Sequence, residues 1–575
     1  MPTEHYDIIV IGTGAGGGTL VHALAETSAK ILVLERGDFV PQEPENRDPV
    51  AVWQDLRYRT EERWLDRNGE EFRPYTHYCV GGNTKFWGSV LFRLRREDFA
   101  SVEHVDGVSP PWPISYDTLE PYYQRAEQLY EVHGAAGADP TEAARGPFPH
   151  GPIPHEATVD RYVSRIREQG LHPSPLPLGL GSPGDPRRCI LCNTCNSFPC
   201  HRNAKSDADV CCVRPAIGLP NVTLWTGARA RRLITDGAGS RVEGVEVDHA
   251  GQQRRVEAPL VVVSCGAVNS AVLLLRSGSR RRPEGLANSS GLVGRRYMAH
   301  LATMLAGFHP FRLNSTVFQK TVAINDFYLQ GPDVPYPLGQ IQSQGRTHGV
   351  MAQTAVPWMP SWFFDFWVAR GVDWLAMTED LPRLDNRVVI GSGDRVQLHY
   401  RANNVTAHER LVSEVKRMLR RLGLVITYAH AGNTQNTTHQ CGTLCFGTDH
   451  RTSVLDPFCR AHDVPNLFVV DASFFPSSAA VNPGLTIAAQ ALRVADHIKE
   501  TELGLGTESI EHRCRTVDEP ASGSMTAEGL LEPGYEVGGS CARGAGVRAL
   551  GRVNWKERGG SGASTVVQSL RYHGV

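Results

Sequence analysis

Asp7-Ile-Ile-Val-Ile11-Gly12-Thr-Gly14-Ala-Gly-Gly17 is the stretch on which the fold turns. Its first half is a continuous apolar, β-branched run, the pattern of a parallel strand buried on both faces. The second half is a G-x-G-x-x-G turn. Thr19-Leu-Val-His-Ala-Leu-Ala25 follows with apolar residues at helical spacing, and a second strand, Lys30–Leu34, ends on Glu35-Arg36-Gly37. Each glycine has a physical task in that order. Gly12 permits the tight turn, Gly14 lets a pyrophosphate approach the backbone, and Gly17 lets helix and strand pack closely. The helix N-terminus then faces the anion, and Glu35 is placed to bind a ribose diol. With strand, turn, helix, strand and acid all in register, a ligand-free glycine turn is the poorer reading. NAD and FAD both remain open on this stretch alone.

The rest of the composition narrows the class. A chain of 575 residues with 41% hydrophobic and 21% charged residues is an ordinary globular protein of several units, which excludes wholesale disorder and collagen-like repeats. Fifty-nine basic against 61 acidic side chains give a net charge of −2, so no basic field exists to hold nucleic acid. Met1–Tyr6 is polar and no apolar run reaches the ~18 residues of a membrane span, so no membrane partner and a cytoplasmic location are expected. Thirteen cysteines are a low density for this length, which points to a reducing compartment.

Further along, Val80-Gly-Gly-Asn-Thr84-Lys-Phe-Trp87-Gly88 forms a second glycine-bearing loop. Pro110-Pro-Trp-Pro113 is a connector into an amphipathic helix, Tyr116–Tyr130. Residues 131–188 are rich in Pro, Gly and His and predict surface loop around one helix near Val159–Gln169. Val222–Leu224 and Val242–Val247 read as strands of a small sheet. Leu260–Ser264 is another fully apolar strand, leading into a helix over Ser270–Arg276. Alternation across 301–405, as in Arg387–Ile390 and Val396–Tyr400, suits an antiparallel sheet with one wet face. A helix over Thr406–Leu422, a late strand ending at Asp471 and a helix over Leu485–Lys499 suggest that the C-terminal segment completes the first domain. After about Leu505 periodicity vanishes, and a disordered or loosely packed tail is expected.

Five features, in order, resemble the glucose–methanol–choline (GMC) flavoprotein oxidoreductases: the Gly12–Gly17 turn with Glu35, the Gly81-Gly-Asn-Thr84 loop, Trp112–Tyr116, His439-Gln-Cys-Gly-Thr443 with Asp471, and Asn482-Pro483-Gly-Leu-Thr486. Within that family the chain looks most like the bacterial pyranose oxidase and glycoside 3-oxidase branch. The resemblance covers about 1–500. It implies an α/β fold, with a three-layer Rossmann-like FAD domain (1–95, 186–300, 440–504) interleaved with a substrate domain built on an antiparallel sheet (96–185, 301–439). It further implies that Gly12, Gly14, Gly17, Glu35, Arg36, Gly81, Asn83, Thr84, Ala228, Asp471, Ala472, Asn482, Pro483 and Thr486 bind FAD, and that His439 and Asn482 are the catalytic pair. Fungal pyranose oxidases attach FAD through a histidine in the second loop. This chain has Lys85-Phe86-Trp87 there, so FAD without a covalent link is expected.

The chemistry implied is oxidation of a secondary alcohol of a sugar or glycoside. Hydride goes to the flavin, and the hydroxyl proton to an imidazole. His439 would take the proton and Asn482 would orient the same oxygen; Asn482 could instead cap the Leu485 helix. His300, His399, His408 and His462 are assigned to structural roles. Oxygen and a quinone remain equal candidates for the electron acceptor, as do C2 and C3 for the carbon oxidised. The cluster Cys189-x2-Cys192-x2-Cys195-x4-Cys200 misses ferredoxin spacing by one residue, and no metal is expected. Trp87, Trp358, Trp362, Trp367 and Trp374 could form a sugar-stacking wall, an ordinary core or a lid. The rival readings are a GMC dehydrogenase for a non-sugar alcohol, an NAD-dependent dehydrogenase on the same glycine turn, and an electron-transfer protein carrying flavin or a cluster.

Overall fold

The structure is a computed structural model and describes residues 4–505 apart from 183, 355, 433 and 435–437. The expected tail lies outside the described residues, save Leu505.

Ile8–Ile11 and Ile31–Leu34 form as predicted and pair in parallel at the centre of a six-stranded sheet. Its order is Val222–Trp225, Ile31–Leu34, Ile8–Ile11, Leu260–Val263, Val464–Val469 and Arg460–Ala461, with only the last strand antiparallel. Ile8, Ile9 and Val10 are fully buried, each worth roughly 1.5–3 kcal/mol relative to exposure. This explains the unbroken apolar run. The helix Ala15–Leu24 packs on the C-terminal helix Gly484–Thr501, so the two ends of the described fold meet behind the glycine turn. That approach is close. A Cβ on Gly17 would stand 2.1 Å from Gly12 O, and one on Gly16 would stand 1.8 Å from Val470 O. A four-stranded sheet, Glu4–His5, Gln252–Glu257, Val242–His249 and Arg229–Thr235, adds the third layer and packs against the central one through Val242–His249.

Val222–Trp225 departs from the sequence reading. It joins the parallel sheet at its edge, beside Ile31–Leu34, and not the small sheet with Val242–His249. An edge strand is half exposed, so its residue pattern is that of a strand in a wet sheet.

A second six-stranded sheet lies further along the chain. Its order is Ile426–Ala431, Leu301–Phe308, Gly371–Thr378, Gln340–Ser343, Val322–Ile324 and Ser174–Pro175, all antiparallel. Leu301–Phe308 alternates buried and half-buried residues along its whole length, and the helix Val405–Arg421 covers the sheet. Arg387–Ile390 and Val396–His399 do pair with each other, but in a third sheet with Arg295–Met298, Cys441–Thr443, Trp64–Leu65 and Glu71–Phe72. Alternation announces a wet face and not which sheet owns it. The apolar stretch 357–376 splits into a helix, Ser361–Val368, and the strand Gly371–Thr378.

Candidate active site

One cavity of about 870 Å³ runs from the glycine turn, past His439 and Asn482, to the aromatic helix Ser361–Val368. Of the residues expected to bind cofactor, Gly12, Gly14, Glu35, Arg36, Asn83, Thr84, Ala228, Asp471, Ala472, Asn482 and Pro483 line it. Gly17 and Gly81 stand behind the wall: Gly17 packs on Gly12, and Gly81 donates its N–H to Thr13 Oγ1 at 3.0 Å. Thr486 is not part of the cavity wall. It is buried away from the cavity, with its hydroxyl 2.9 Å from Tyr123 Oη.

Several features fit a dinucleotide. Gly14 caps the first helix without a side chain, nothing lies within 4 Å of where its Cβ would be, and Gly14, Ala15 and Gly16 line the cavity, so the helix begins at its wall. Glu35 ends its strand with one carboxylate oxygen accepting from Thr13 Oγ1 at 2.6 Å and the other from Gly37 N at 3.0 Å. Burial pushes its pKa up; Oε2 also accepts from Thr13 N at 3.3 Å, and Oε1 keeps a lone pair for a donor such as a ribose hydroxyl. Asp471 is held the same way, accepting from Gly266 N at 2.9 Å, Ser270 Oγ at 2.5 Å and Ser473 N at 2.8 Å. Trp53, His77, Trp87 and Asn482 line the cavity and each carries a buried polar atom with no hydrogen-bond partner. Native proteins seldom leave such atoms unpaired. Lys85 is buried below the second loop on Asp207 at 3.1 Å and Asp209 at 3.0 Å, and Phe86 stacks on His77 with ring centroids 3.7 Å apart.

At the other end the catalytic candidates meet. Asn482 Nδ2 lies 3.3 Å from His439 Nε2. Pro483, not Asn482, is the N-cap of the following helix, so the capping alternative for Asn482 does not hold. His439 has φ 56°, a left-handed conformation rare outside glycine, which the surrounding packing must enforce.

His300, assigned above to a structural role, belongs to this site. Its Nε2 is 3.1 Å from Ser478 O, and its Nδ1 is 2.9 Å from His439 Nδ1. A carbonyl only accepts, so His300 carries its proton on Nε2. Burial lowers its pKa, so it is neutral and its Nδ1 is an acceptor. His439 must then donate from Nδ1, which leaves its Nε2 an unprotonated acceptor facing the N–H of Asn482 Nδ2 at 3.3 Å. Burial above all, with the nearby Lys320, holds the His439 pKa well below 6.5. The arrangement is an unprotonated base at neutral pH with its tautomer fixed from behind.

The outer cavity combines an apolar surface, including Met304, Phe308, Phe363, Trp367 and Tyr428, with polar Gln342, Gln344 and Asn196. Of the five tryptophans, Trp87 and Trp367 line it, Trp374 is core, and Trp358 and Trp362 are exposed. Cys189, Cys192, Cys195 and Cys200 are free thiols, and among the described residues no three metal-binding side chains are grouped to hold an ion. No helix among the described residues is long and apolar enough to cross a membrane.

The GMC oxidoreductase N-terminal family model matches residues 6–302 and the C-terminal one residues 395–491. Paromamine 6′-oxidase of Streptomyces fradiae is 31% identical over 525 residues, spanning 85% of this chain and 90% of its own. 6‴-Hydroxyparomomycin C oxidase of Streptomyces lividus is 31% identical over 523 residues, spanning 86% and 92%. In fold the chain is similar to pyridoxine 4-oxidase of Mesorbium loti, with a TM-score of 0.61 at 18% identity, covering 86% of this chain and 99% of that one.

Proposed function

Since the chain belongs to the GMC oxidoreductase family, we propose that it oxidises a CH–OH carbon of a sugar or glycoside to the carbonyl, with FAD as cofactor and His439 as general base. The observation that carries this reading is the unprotonated Nε2 of His439, set beside Asn482 in the same cavity as the dinucleotide turn.

FAD when bound supplies the hydride acceptor. Gly12, Gly14 and the first helix would hold its pyrophosphate, Glu35 the ribose, and Asn83, Thr84, Asp471 and Ala472 the flavin portion, without a covalent link. The chain's own residues supply position and the proton path. Asn482 Nδ2, 3.3 Å from His439 Nε2, would turn its N–H to the substrate oxygen and free that lone pair as the alcohol enters. The alcohol O–H, docked against this pair, donates to His439 Nε2. As the C–H bond breaks, the proton moves onto Nε2, and the Nδ1–H of the resulting imidazolium remains bonded to His300 Nδ1. Such a positioned base contributes roughly 10²–10⁴-fold in rate.

The substrate class follows from the outer cavity. Gln342, Gln344 and Asn196 offer hydrogen bonds to sugar hydroxyls, and Phe363 and Trp367 offer apolar surface to whatever the sugar carries. A glycoside with an apolar aglycone fits this division better than a free monosaccharide, in keeping with a glycoside oxidase. The test is a panel of glucose, an aryl glucoside and its 6-deoxy analogue, with the product identified. Oxidation of the 6-deoxy aryl glucoside to a ring ketone supports a secondary-alcohol reaction. An aldehyde from the parent glucoside alone would move the reaction to the exocyclic carbon, the position named in both relatives. No oxidation of any of the three would remove the sugar reading.

A further inference from the structure

Lys320 precedes the strand Val322–Ile324 and is 1% exposed. Its ammonium donates to Gly88 O at 2.7 Å and to Asn196 Oδ1 at 2.5 Å, two neutral oxygens, and among the described residues it makes no ion pair. The two other buried lysines nearby are fully engaged. Lys85 sits on two aspartates, and Lys205 is caged by the carbonyls of Lys85, Trp87, Cys195 and Phe198 at 2.8–3.3 Å. Lys320 alone of the three lines the cavity. Gly88 makes room for it, since a Cβ there would stand 1.7 Å from Lys320 Nζ. The ammonium therefore occupies the place of a side chain on the second loop, with one N–H bond left over.

A buried cation without a counter-ion is costly and is kept where negative charge will arrive. The alcohol oxidation proposed above leaves a proton on His439 and the hydride's electron pair in the cavity, and that pair must then leave. We propose that Lys320 is the cation that stabilises dioxygen as it takes up these electrons, so that oxygen is the electron acceptor and the chain is an oxidase. This rests on the reading of the site as an alcohol-oxidising FAD centre. The balance is CH–OH + O2 → C=O + H2O2: the first electron makes the superoxide anion, and the second electron with two protons completes hydrogen peroxide. A caged, inward-facing ammonium suits a diatomic that diffuses into the cavity and not a quinone ring that must dock.

The environment makes this charge responsive. Burial pushes the Lys320 pKa down to about 7, with Cys195 opposing it and Lys205 adding a smaller push downward, and His439 lies within its field. Negative charge in the cavity draws the proton on; as pH rises through about 7 the empty site loses it.

The test uses FAD-loaded protein reduced with dithionite, so that the oxygen step is read without any sugar. Wild type is expected to reoxidise more slowly as pH rises through about 7. Lys320→Met should lower reoxidation 10- to 100-fold and abolish that dependence, and Lys320→Arg, charged throughout, should stay fast above pH 7. The FAD midpoint potential gives a second readout. Lys320→Met should lower it, a tenfold change in the equilibrium being about 30 mV for a two-electron couple. Should the variants fail to fold, the pH profile of wild type still decides. Reoxidation independent of pH across 7, a Lys320→Met variant as fast as wild type, or reduced protein that passes electrons to a quinone but not to oxygen would overturn the proposal. Failure of sugars to reduce the protein would instead count against the alcohol reading.

Discussion

His439 Nε2 keeps its lone pair only while His300 stays neutral behind it, so activity should carry the signature of both rings. With its pKa held well below 6.5, the base is competent throughout the neutral range. The kcat/KM for sugar should stay level as pH falls past 6.5 and decline only at lower pH; a limb at 6.5 or above would contradict the buried site. His300→Leu removes the acceptor that fixes the tautomer and should cost roughly 10- to 100-fold, within the range of a positioned base. His300→Asn, whose Oδ1 can accept in place of Nδ1, should recover most of it. Equal losses in the two variants would show that His300 matters only for packing. At this scale the motif residues were legible and their partners were not. The glycines, Glu35, His439 and Asn482 sit in patterns a few residues long. His300 meets His439 across 139 positions, and Lys320 meets Gly88 across 232. A histidine or lysine in an unremarkable sequence acquires its role only when the chain has folded, and no local pattern signals it.

At the scale of elements, the apolar runs and the helix with its strong two-sided pattern were readable because burial alone writes them. What failed was ownership: Val222–Trp225 was seen as a strand but placed in the wrong sheet, and the alternation of Arg387–Ile390 did not say which sheet it joins, because pairing depends on neighbours far away in sequence. The helix Val405–Arg421 shows how such elements are tied. His408 on it bonds Thr303 Oγ1 at 2.7 Å and Thr378 Oγ1 at 2.9 Å, on two adjacent strands. Burial pushes its pKa down to about 4. An unfolded chain binds this proton near pH 6.5, so between 6.5 and 4 the unfolded state holds more protons and stability falls as pH drops. The shift corresponds to about 3 kcal/mol at its full extent. The thermal-melt advantage of wild type over His408→Gln should therefore shrink on acidification from pH 7 to 4.5, and parallel curves would contradict this. The helix Ser361–Val368 bears on specificity. Trp367→Ala should raise KM for an aryl glucoside several-fold more than for glucose, whereas equal effects would assign the helix to packing alone.

For the whole molecule, the cavity joins strands from both ends of the described chain, and the first helix packs on the last. FAD bound there should stabilise the fold as a unit. By mass action, cofactor at a thousand times its Kd adds about 4 kcal/mol, so stripped protein should melt well below the holoprotein and recover on adding FAD. Identical melting temperatures would mean that the cavity does not hold it. The central claim is that His439 takes the alcohol proton while FAD in the same cavity takes the hydride. Its most direct test is anaerobic stopped-flow mixing of the purified holoprotein with an aryl glucoside, following the flavin band near about 450 nm. Wild type should bleach rapidly, and His439→Ala, with FAD still bound, should bleach roughly 10²–10⁴-fold more slowly. Bleaching at the wild-type rate in His439→Ala, or none in the wild type with any glycoside, would contradict it.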